Sequence, residues 1–296
     1  MKFQGSFVAL VTPFHEDGSV NFEKLKALCE WHIEMGTDGI VVLGTTGESS
    51  TMTHEEDEAV VRCAVAAVAG RIPVIAGAGS NCTETSLEKS LAYEKLGADG
   101  LLLITPYYNK ANPVGMIRHF ETVADAVNIP IILYNVPGRT GCALPVACVE
   151  HLSKHRNIAA LKEASGDIGY VAKVARYVSE DFALFSGNDD MIVPVMSLGG
   201  AGVISVVANI APKFTHRLCA KHLAGDVREA ARMQLAGLDL INGLFVEVNP
   251  IPVKEAMNML GHGVGPFRLP LCEMEEGNRE ALRRVLGQLA ALEEDL

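Results

Sequence analysis

Basic residues are in deficit. Across 296 residues, lysine and arginine total 25 against 36 aspartates and glutamates, a formal net charge of -11. Nucleic-acid binding needs clustered positive charge and is disfavoured. Anionic small substrates remain open, because a local field can oppose the global one. No apolar run reaches the roughly 18 residues of a membrane-spanning helix, so no membrane partner is expected. Met1-Lys2-Phe3-Gln4-Gly5-Ser6 lacks a basic stretch, an apolar run and a cleavage site, which predicts a cytoplasmic protein. Seven scattered cysteines form no CxxC pair, so reduced thiols are expected rather than a disulfide framework. The histidines carry no HExxH zinc signature, and no metal is expected. Nor does a GxGxxG open a helix after the first strand; Gly77-Ala78-Gly79 has no third glycine in register. No cofactor is expected. With 49% hydrophobic and 21% charged residues, disorder is unlike this chain.

What is present is a rhythm. Short continuous apolar runs recur at Phe7–Val11, Gly39–Leu43, Pro73–Ala76, Gly100–Ile104, Pro130–Tyr134, Ile158–Leu161, Phe182–Phe185 and Gly202–Val207. Continuous rather than alternating runs mark strands buried on both faces, as in a parallel sheet. Helical spacing fills the gaps: Phe22, Leu25, Leu28, Cys29 and Ile33 share one face, as do Val60, Val61, Ala64, Val65 and Val68. Thr53-His54-Glu55-Glu56 has the form of a capping box. Gly36-Thr37-Asp38-Gly39 and Gly97-Ala98-Asp99-Gly100 supply left-handed helix ends. About eight such units predict a (β/α)8 TIM barrel over residues 1–224. Residues 225–296 lack strand signals, and a C-terminal helical domain is expected there, with helices over 230–244, 253–260 and 279–292. An open doubly wound sheet is the alternative.

In a parallel barrel the chemistry sits at the carboxyl ends of the strands. Lys162 directly follows Ile158–Leu161 and so projects from a buried strand. Desolvation disfavours its ammonium form, and a neutral amine is a nucleophile for a carbonyl carbon. Pairing with Glu163 is the competing reading. Lys254 is the rival lysine; it begins a helix outside the barrel, which favours a structural role. The turn Gly44-Thr45-Thr46-Gly47 can present amides to a carboxylate. Tyr134 brings a phenol able to move a proton. Arg139 is placed to clamp a carboxylate. Each also has a bland reading, as a plain turn, a core tyrosine or a surface arginine. His54 with its acidic run reads as a solvated helix start, and Asp189-Asp190 as the start of the next helix.

These residues resemble the dihydrodipicolinate synthase family, within the class I pyruvate-dependent aldolases that include N-acetylneuraminate lyase. The resemblance covers essentially the whole chain. It rests on Gly44-Thr45-Thr46-Gly47-Glu48-Ser49, Pro106-Tyr107-Tyr108-Asn109, Tyr134-Asn135-Val136-Pro137-Gly138-Arg139-Thr140, Lys162-Glu163-Ala164-Ser165-Gly166-Asp167 and Asn249-Pro250-Ile251-Pro252-Val253-Lys254. It implies a carbon-oxygen lyase that condenses pyruvate with L-aspartate 4-semialdehyde, on the route to diaminopimelate and lysine. Lys162 would form the Schiff base. Thr45 and Thr46 would hold the pyruvate carboxylate. Thr45, Tyr134 and Tyr108 would relay protons, with Tyr108 reaching a neighbouring subunit. Arg139 would bind the semialdehyde carboxylate, and Gly187 and Ile204 would line the pyruvate pocket. A homotetramer, as a dimer of tight dimers, is the implied assembly.

One implied feature carries over incompletely. Ser49, His54, Asn81 and Tyr107 match the pattern of an allosteric lysine site, yet Asp57 stands where inhibited relatives have histidine and Thr85 where they have glutamate. Weak or absent inhibition by lysine is therefore expected. A sugar-acid aldolase and a catalytically dead ketoacid-binding barrel are the rival functions. Arg139 and the Tyr107-Tyr108 pair argue against the first, and the joint presence of Lys162, Tyr134, Tyr108 and Thr45 against the second.

Overall fold

Eight strands run parallel in sequence order, and the last hydrogen-bonds to the first in a closed barrel. They are β1 (Gly5–Ala9), β2 (Gly39–Val42), β3 (Val74–Gly77), β4 (Gly100–Ile104), β5 (Ile131–Asn135), β6 (Ile158–Glu163), β7 (Ala183–Ser186) and β8 (Gly202–Ser205). The structure, a computed structural model, describes residues 3–294. The expected (β/α)8 fold is present and the open sheet is excluded, because Phe7 of β1 pairs with both Gly39 of β2 and Ile204 of β8.

Two apolar layers hold the barrel. Inward-facing side chains, among them Phe7, Val41, Ile75, Leu102, Ile132, Phe185 and Ile204, fill its centre. The Phe7 and Phe185 rings lie 5.5 Å apart there, and burial of each contributes about 1.5–3 kcal/mol. The outward-facing strand residues pack against the helices in one larger cluster. The helix His54–Val68 opens on the predicted capping box: Glu56 N donates to Thr53 Oγ1, and Thr53 N donates to Glu56 Oε2.

The strand boundaries differ from the apolar runs by one or two residues. β1 starts at Gly5, where its backbone passes close to Gly202 of β8, rather than at Phe7. β6 extends through Lys162 and Glu163, two polar residues that hydropathy alone assigns to the following loop.

Past residue 225 the regular elements described are helices, as expected, but the first and last expected helices are each divided in two: Val227–Ala236, Leu238–Gly243, Ile251–Met259, Glu276–Leu286 and Leu289–Glu294. Gly237 divides the first two. A Cβ there would fall 2.5 Å from the Phe214 ring, so the helix crosses that ring only with glycine at the contact. The last described helix is anchored to the helix Pro212–Leu223, where Phe214 N donates to Glu293 Oε1 and Arg217 Nη2 donates to the Leu292 and Glu293 carbonyls.

Candidate active site

Strand alternation decides where Lys162 points. Ala160 faces the barrel interior, so Lys162, two residues on, faces the same way at the carboxyl end of β6. In the β5–β6 ladder Lys162 is directly opposite Tyr134. Its Nζ lies 4.4 Å from the centroid of the Tyr134 ring, and the residue is only 6% exposed. Burial pushes the Lys162 amine down to about 8; the Asp189 carboxylate opposes this and the Arg139 charge reinforces it. Glu163 faces the other way. Its two oxygens accept from Asn135 Nδ2 and from the Ser165 amide, which removes the pairing that competes with a free Lys162 amine.

A small cavity of about 70 Å³ surrounds this amine. Thr45, Thr46, Tyr134, Arg139, Lys162 and Gly187 line it, together with Phe245 and Asn249 from the C-terminal region. Gly187 is there for room: a Cβ would sit 3.1 Å from Lys162 Cε and 2.6 Å from the Ala164 Cβ. The Gly44–Glu48 turn closes on itself through Gly47 N to Gly44 O and Glu48 N to Thr45 O. Among the described residues the Thr45 and Thr46 amides donate to no protein acceptor, which leaves two N–H groups for an anion. Burial raises the Tyr134 phenol, opposed by the Arg139 charge and by the neighbouring Thr45 side chain. The phenol is therefore protonated at neutral pH. Arg139 Nη2 donates to the Asn249 carbonyl, 2.9 Å away.

Not every expected residue comes to this cavity. Ile204 packs in the barrel interior with Phe7 and Phe185, and Val206, two residues on, lines the cavity instead. Tyr108 is not in this cavity's wall; it is 89% exposed and holds a left-handed φ of 68°. Ser49, His54 and Tyr107 line a second cavity of about 320 Å³, which meets the first across Gly44, Thr45, Leu102 and Tyr134. Asn81 is not in its wall; its carbonyl accepts from Asn109 Nδ2. Thr85 is, and so is Lys89.

Other side chains carry more than the sequence indicated. Asp57 is not part of a solvated helix start. It is buried and paired with Lys89 at 2.7 Å. Asp189 does more than begin a helix: its Oδ2 accepts from the Val206 and Val207 amides and fixes the end of β8. Lys254 belongs to a helix outside the barrel, but its ammonium reaches back to Glu48 at the site's turn. Asn249, which the sequence marks only as part of a motif, donates its Nδ2 to Thr46 Oγ1. His151 and His155 have an HxxxH spacing, and each is turned to a separate carboxylate, Glu121 and Asp125. Among the described residues no group of three or more His, Cys, Asp or Glu side chains converges on a metal position.

Volume alone does not mark the chemistry. A much larger cavity, about 770 Å³, lies at the opposite end of the strands beside Phe3, Pro130 and Ala183, and its Lys154 and Arg156 are exposed. No described helix is long and apolar enough to cross a membrane.

A closed parallel barrel with a desolvated lysine at the mouth of its sixth strand, facing a phenol and a guanidinium, places the chain among the lysine-centred (β/α)8 barrels. Within that class, the chain belongs to the dihydrodipicolinate synthetase family, whose model matches residues 2–289. A 4-hydroxy-tetrahydrodipicolinate synthase from Clostridium perfringens is 54% identical over 276 residues, covering 93% of this chain and 94% of the relative. The solved dihydrodipicolinate synthase of Cyanidioschyzon merolae with lysine bound superimposes with a TM-score of 0.94 at 41% identity, covering 97% of this chain and 98% of that one. A monomeric dihydrodipicolinate synthase variant gives a TM-score of 0.95 at 39% identity, covering 97% of each chain.

Proposed function

We propose that this chain is a lyase that condenses pyruvate with L-aspartate 4-semialdehyde to give 4-hydroxy-tetrahydrodipicolinate. The observation that carries the proposal is the desolvated Lys162 amine set in register against Tyr134, in a cavity that also receives Arg139 and the free Thr45 and Thr46 amides. The Lys162 nitrogen adds to the pyruvate ketone and water leaves, giving an imine. Loss of a methyl proton converts it to an enamine. The enamine carbon attacks the semialdehyde aldehyde, whose oxygen takes up a proton. The amine of the semialdehyde then attacks the imine carbon, closes the ring and frees Lys162. Thr45 and Tyr134 supply the proton path at the cavity. Gly187 makes room for the lysine, while Ile204 supports the pocket from beneath rather than touching the ligand.

Tyr108 fits this scheme through a second copy of the chain. A left-handed tyrosine costs about 1–3 kcal/mol and persists where function or packing requires it. An exposed one is ready to enter another subunit's site. A dimer is then the catalytic unit and a tetramer of two tight dimers the assembly, in the cytoplasm. Residues 1–224 form the catalytic barrel, and the helical domain of 225–296 completes its site with Phe245 and Asn249.

Trapping tests the chemistry directly. Borohydride reduction in the presence of pyruvate should leave a stable adduct on Lys162, located by peptide mass spectrometry. The chain should also condense aspartate semialdehyde faster than it cleaves sialic acid. An unmodified lysine would favour the ketoacid-binding reading, and faster sialic-acid cleavage the sugar-acid one.

Arg139 separates the two substrates. Arg139→Ala should raise the Michaelis constant for the semialdehyde by about 10–100-fold, the loss of a charge-assisted carboxylate contact. The constant for pyruvate should stay within about threefold. Equal changes in both would contradict the clamp.

Lysine should inhibit weakly or not at all. In the cavity of Ser49, His54 and Tyr107 the wall contributes the Lys89 ammonium, and the nearby Asp57 carboxylate is already paired with it. An incoming ammonium meets like charge and no free acid, so about 10 mM lysine should reduce activity by less than about twofold. Strong inhibition in that range would show that Lys89 moves aside.

A further inference from the structure

The Gly44–Glu48 turn is flanked by two non-glycine residues in the left-handed region, Leu43 at φ 59° and Glu48 at φ 54°. Each such residue costs about 1–3 kcal/mol and persists only where the surroundings over-determine it. From within the barrel, Thr12 Oγ1 donates to the Gly47 carbonyl at 2.6 Å. Beyond these and the turn's own local bonds, further restraints come from more than 200 residues away. Lys254 Nζ lies 2.6 Å from Glu48 Oε1, and both side chains are 0% exposed. The same ammonium donates to the Pro266 carbonyl at 2.7 Å and sits 4.4 Å from the Phe14 ring centroid. The second oxygen of Glu48 accepts from the Arg268 amide. Two residues upstream in the turn, Thr46 Oγ1 accepts from Asn249 Nδ2 at 3.0 Å, and the Asn249 carbonyl accepts from Arg139.

A fully buried ion pair is an inefficient source of stability, since desolvating both charges offsets most of their attraction. A well-packed apolar pair would hold the helix Ile251–Met259 to the barrel as well or better. What the ion pair adds is direction: its short, oriented contacts fix the rotation of Glu48 and with it the end of the turn. We infer that Lys254 is a positioning residue for pyruvate, holding the Gly44–Glu48 turn through Glu48 so that the Thr45 and Thr46 amides face Lys162, while Asn249 joins that turn to the Arg139 clamp. This rests on the proposed roles of the turn and of Arg139. The helical region after residue 225 is then part of the substrate-binding machinery.

The test measures the pyruvate concentration that half-saturates borohydride trapping at Lys162, alongside both Michaelis constants. In Lys254→Met the half-saturating pyruvate concentration should rise about tenfold or more, as expected of a displaced binding group. The semialdehyde constant should stay within about threefold. Lys254→Met leaves Glu48 buried without its partner, so the double variant Lys254→Met with Glu48→Gln removes that penalty. It should regain thermal stability but keep the weakened pyruvate response. Asn249→Ala loses the bond to Thr46 Oγ1 but keeps the backbone carbonyl that Arg139 uses, so it should raise the pyruvate constant and leave the semialdehyde one within about threefold. Arg279→Ala removes the outer ion pair to Glu255, on the helix of Lys254, together with a longer contact to Glu276, and should leave the pyruvate response within about twofold. A folded double variant with the wild-type pyruvate response overturns the inference and makes the pair a matter of stability alone. Failure to trap the wild-type chain would instead remove the imine reading, and this inference with it.

Discussion

Replacing Lys162 by methionine should lower condensation by at least about 10⁴-fold, because no second amine in the cavity can form the imine. Lys254 cannot substitute; it is locked against Glu48 and the Pro266 carbonyl. The same change should not weaken the fold. In the folded chain the Lys162 amine sits at about 8, below its ordinary 10.5. Between those two values the unfolded chain binds more protons than the folded one, so the wild-type protein gains stability as pH rises through that window. Below it, burying the amine carries its full cost, up to about 3 kcal/mol. Methionine has a similar shape and no charge. Its thermal midpoint at pH 7 should equal or exceed that of the wild type, and the advantage should vanish above about pH 10.5. A midpoint well below the wild type at pH 7 would mean that the amine is held by attraction and not merely tolerated.

The same displacement sets the pH dependence of the wild-type enzyme. Imine formation needs the neutral amine. At pH 7 about one Lys162 in ten is neutral, against fewer than about one in a thousand for an ordinary lysine. The apparent second-order constant for pyruvate should therefore climb with a slope of one in log units and level off near pH 8. Arg139→Ala removes a positive neighbour that helps to depress the amine, so its plateau should begin at higher pH. These shifts read the charge around Lys162 independently of any change in substrate affinity.

How much of this was legible beforehand follows from the range of each interaction. The barrel was readable because buried strands are continuous apolar runs and the glycine-capped helix ends repeat between them. Lys162 and Tyr134 stand out because one directly follows such a run and the other ends one, and Arg139 because it lies in the Pro-Gly turn beside the Tyr134 strand end. Hydropathy alone ends β6 at Leu161, whereas the backbone ladder continues while its side chains turn polar at the barrel mouth. The roles of Asp189, Asn249 and Lys254 depended on partners far along the chain. Asp189 meets amides 17 and 18 residues on, and Lys254 meets Glu48 across 206 residues. Local pattern carries no record of such pairings. The polar pair was present in the sequence, but only closure of the barrel and docking of the helix Ile251–Met259 brings it together. Ile204 shows the converse limit: its strand was identified correctly, yet the layer it occupies is set by barrel stagger.

Tyr134→Phe should slow turnover by about 10²–10⁴-fold while leaving pyruvate capture nearly intact. The hydroxyl is the only group removed. The ring stays in the interior cluster and keeps its place against the Lys162 amine, so the desolvation that holds that amine near 8 is unchanged. Trapping with pyruvate and borohydride should still label Lys162, and the rising limb of the pH profile should keep its position. What is lost is a protonated phenol beside Thr45 that hands a proton between the methyl carbon, the aldehyde oxygen and the side chains at the cavity edge. The defect should then fall on kcat, with a larger solvent isotope effect as proton transfer becomes limiting. A loss smaller than about tenfold would transfer the relay to other groups. A loss confined to the pyruvate Michaelis constant would make Tyr134 a wall of the pocket and not a carrier of protons.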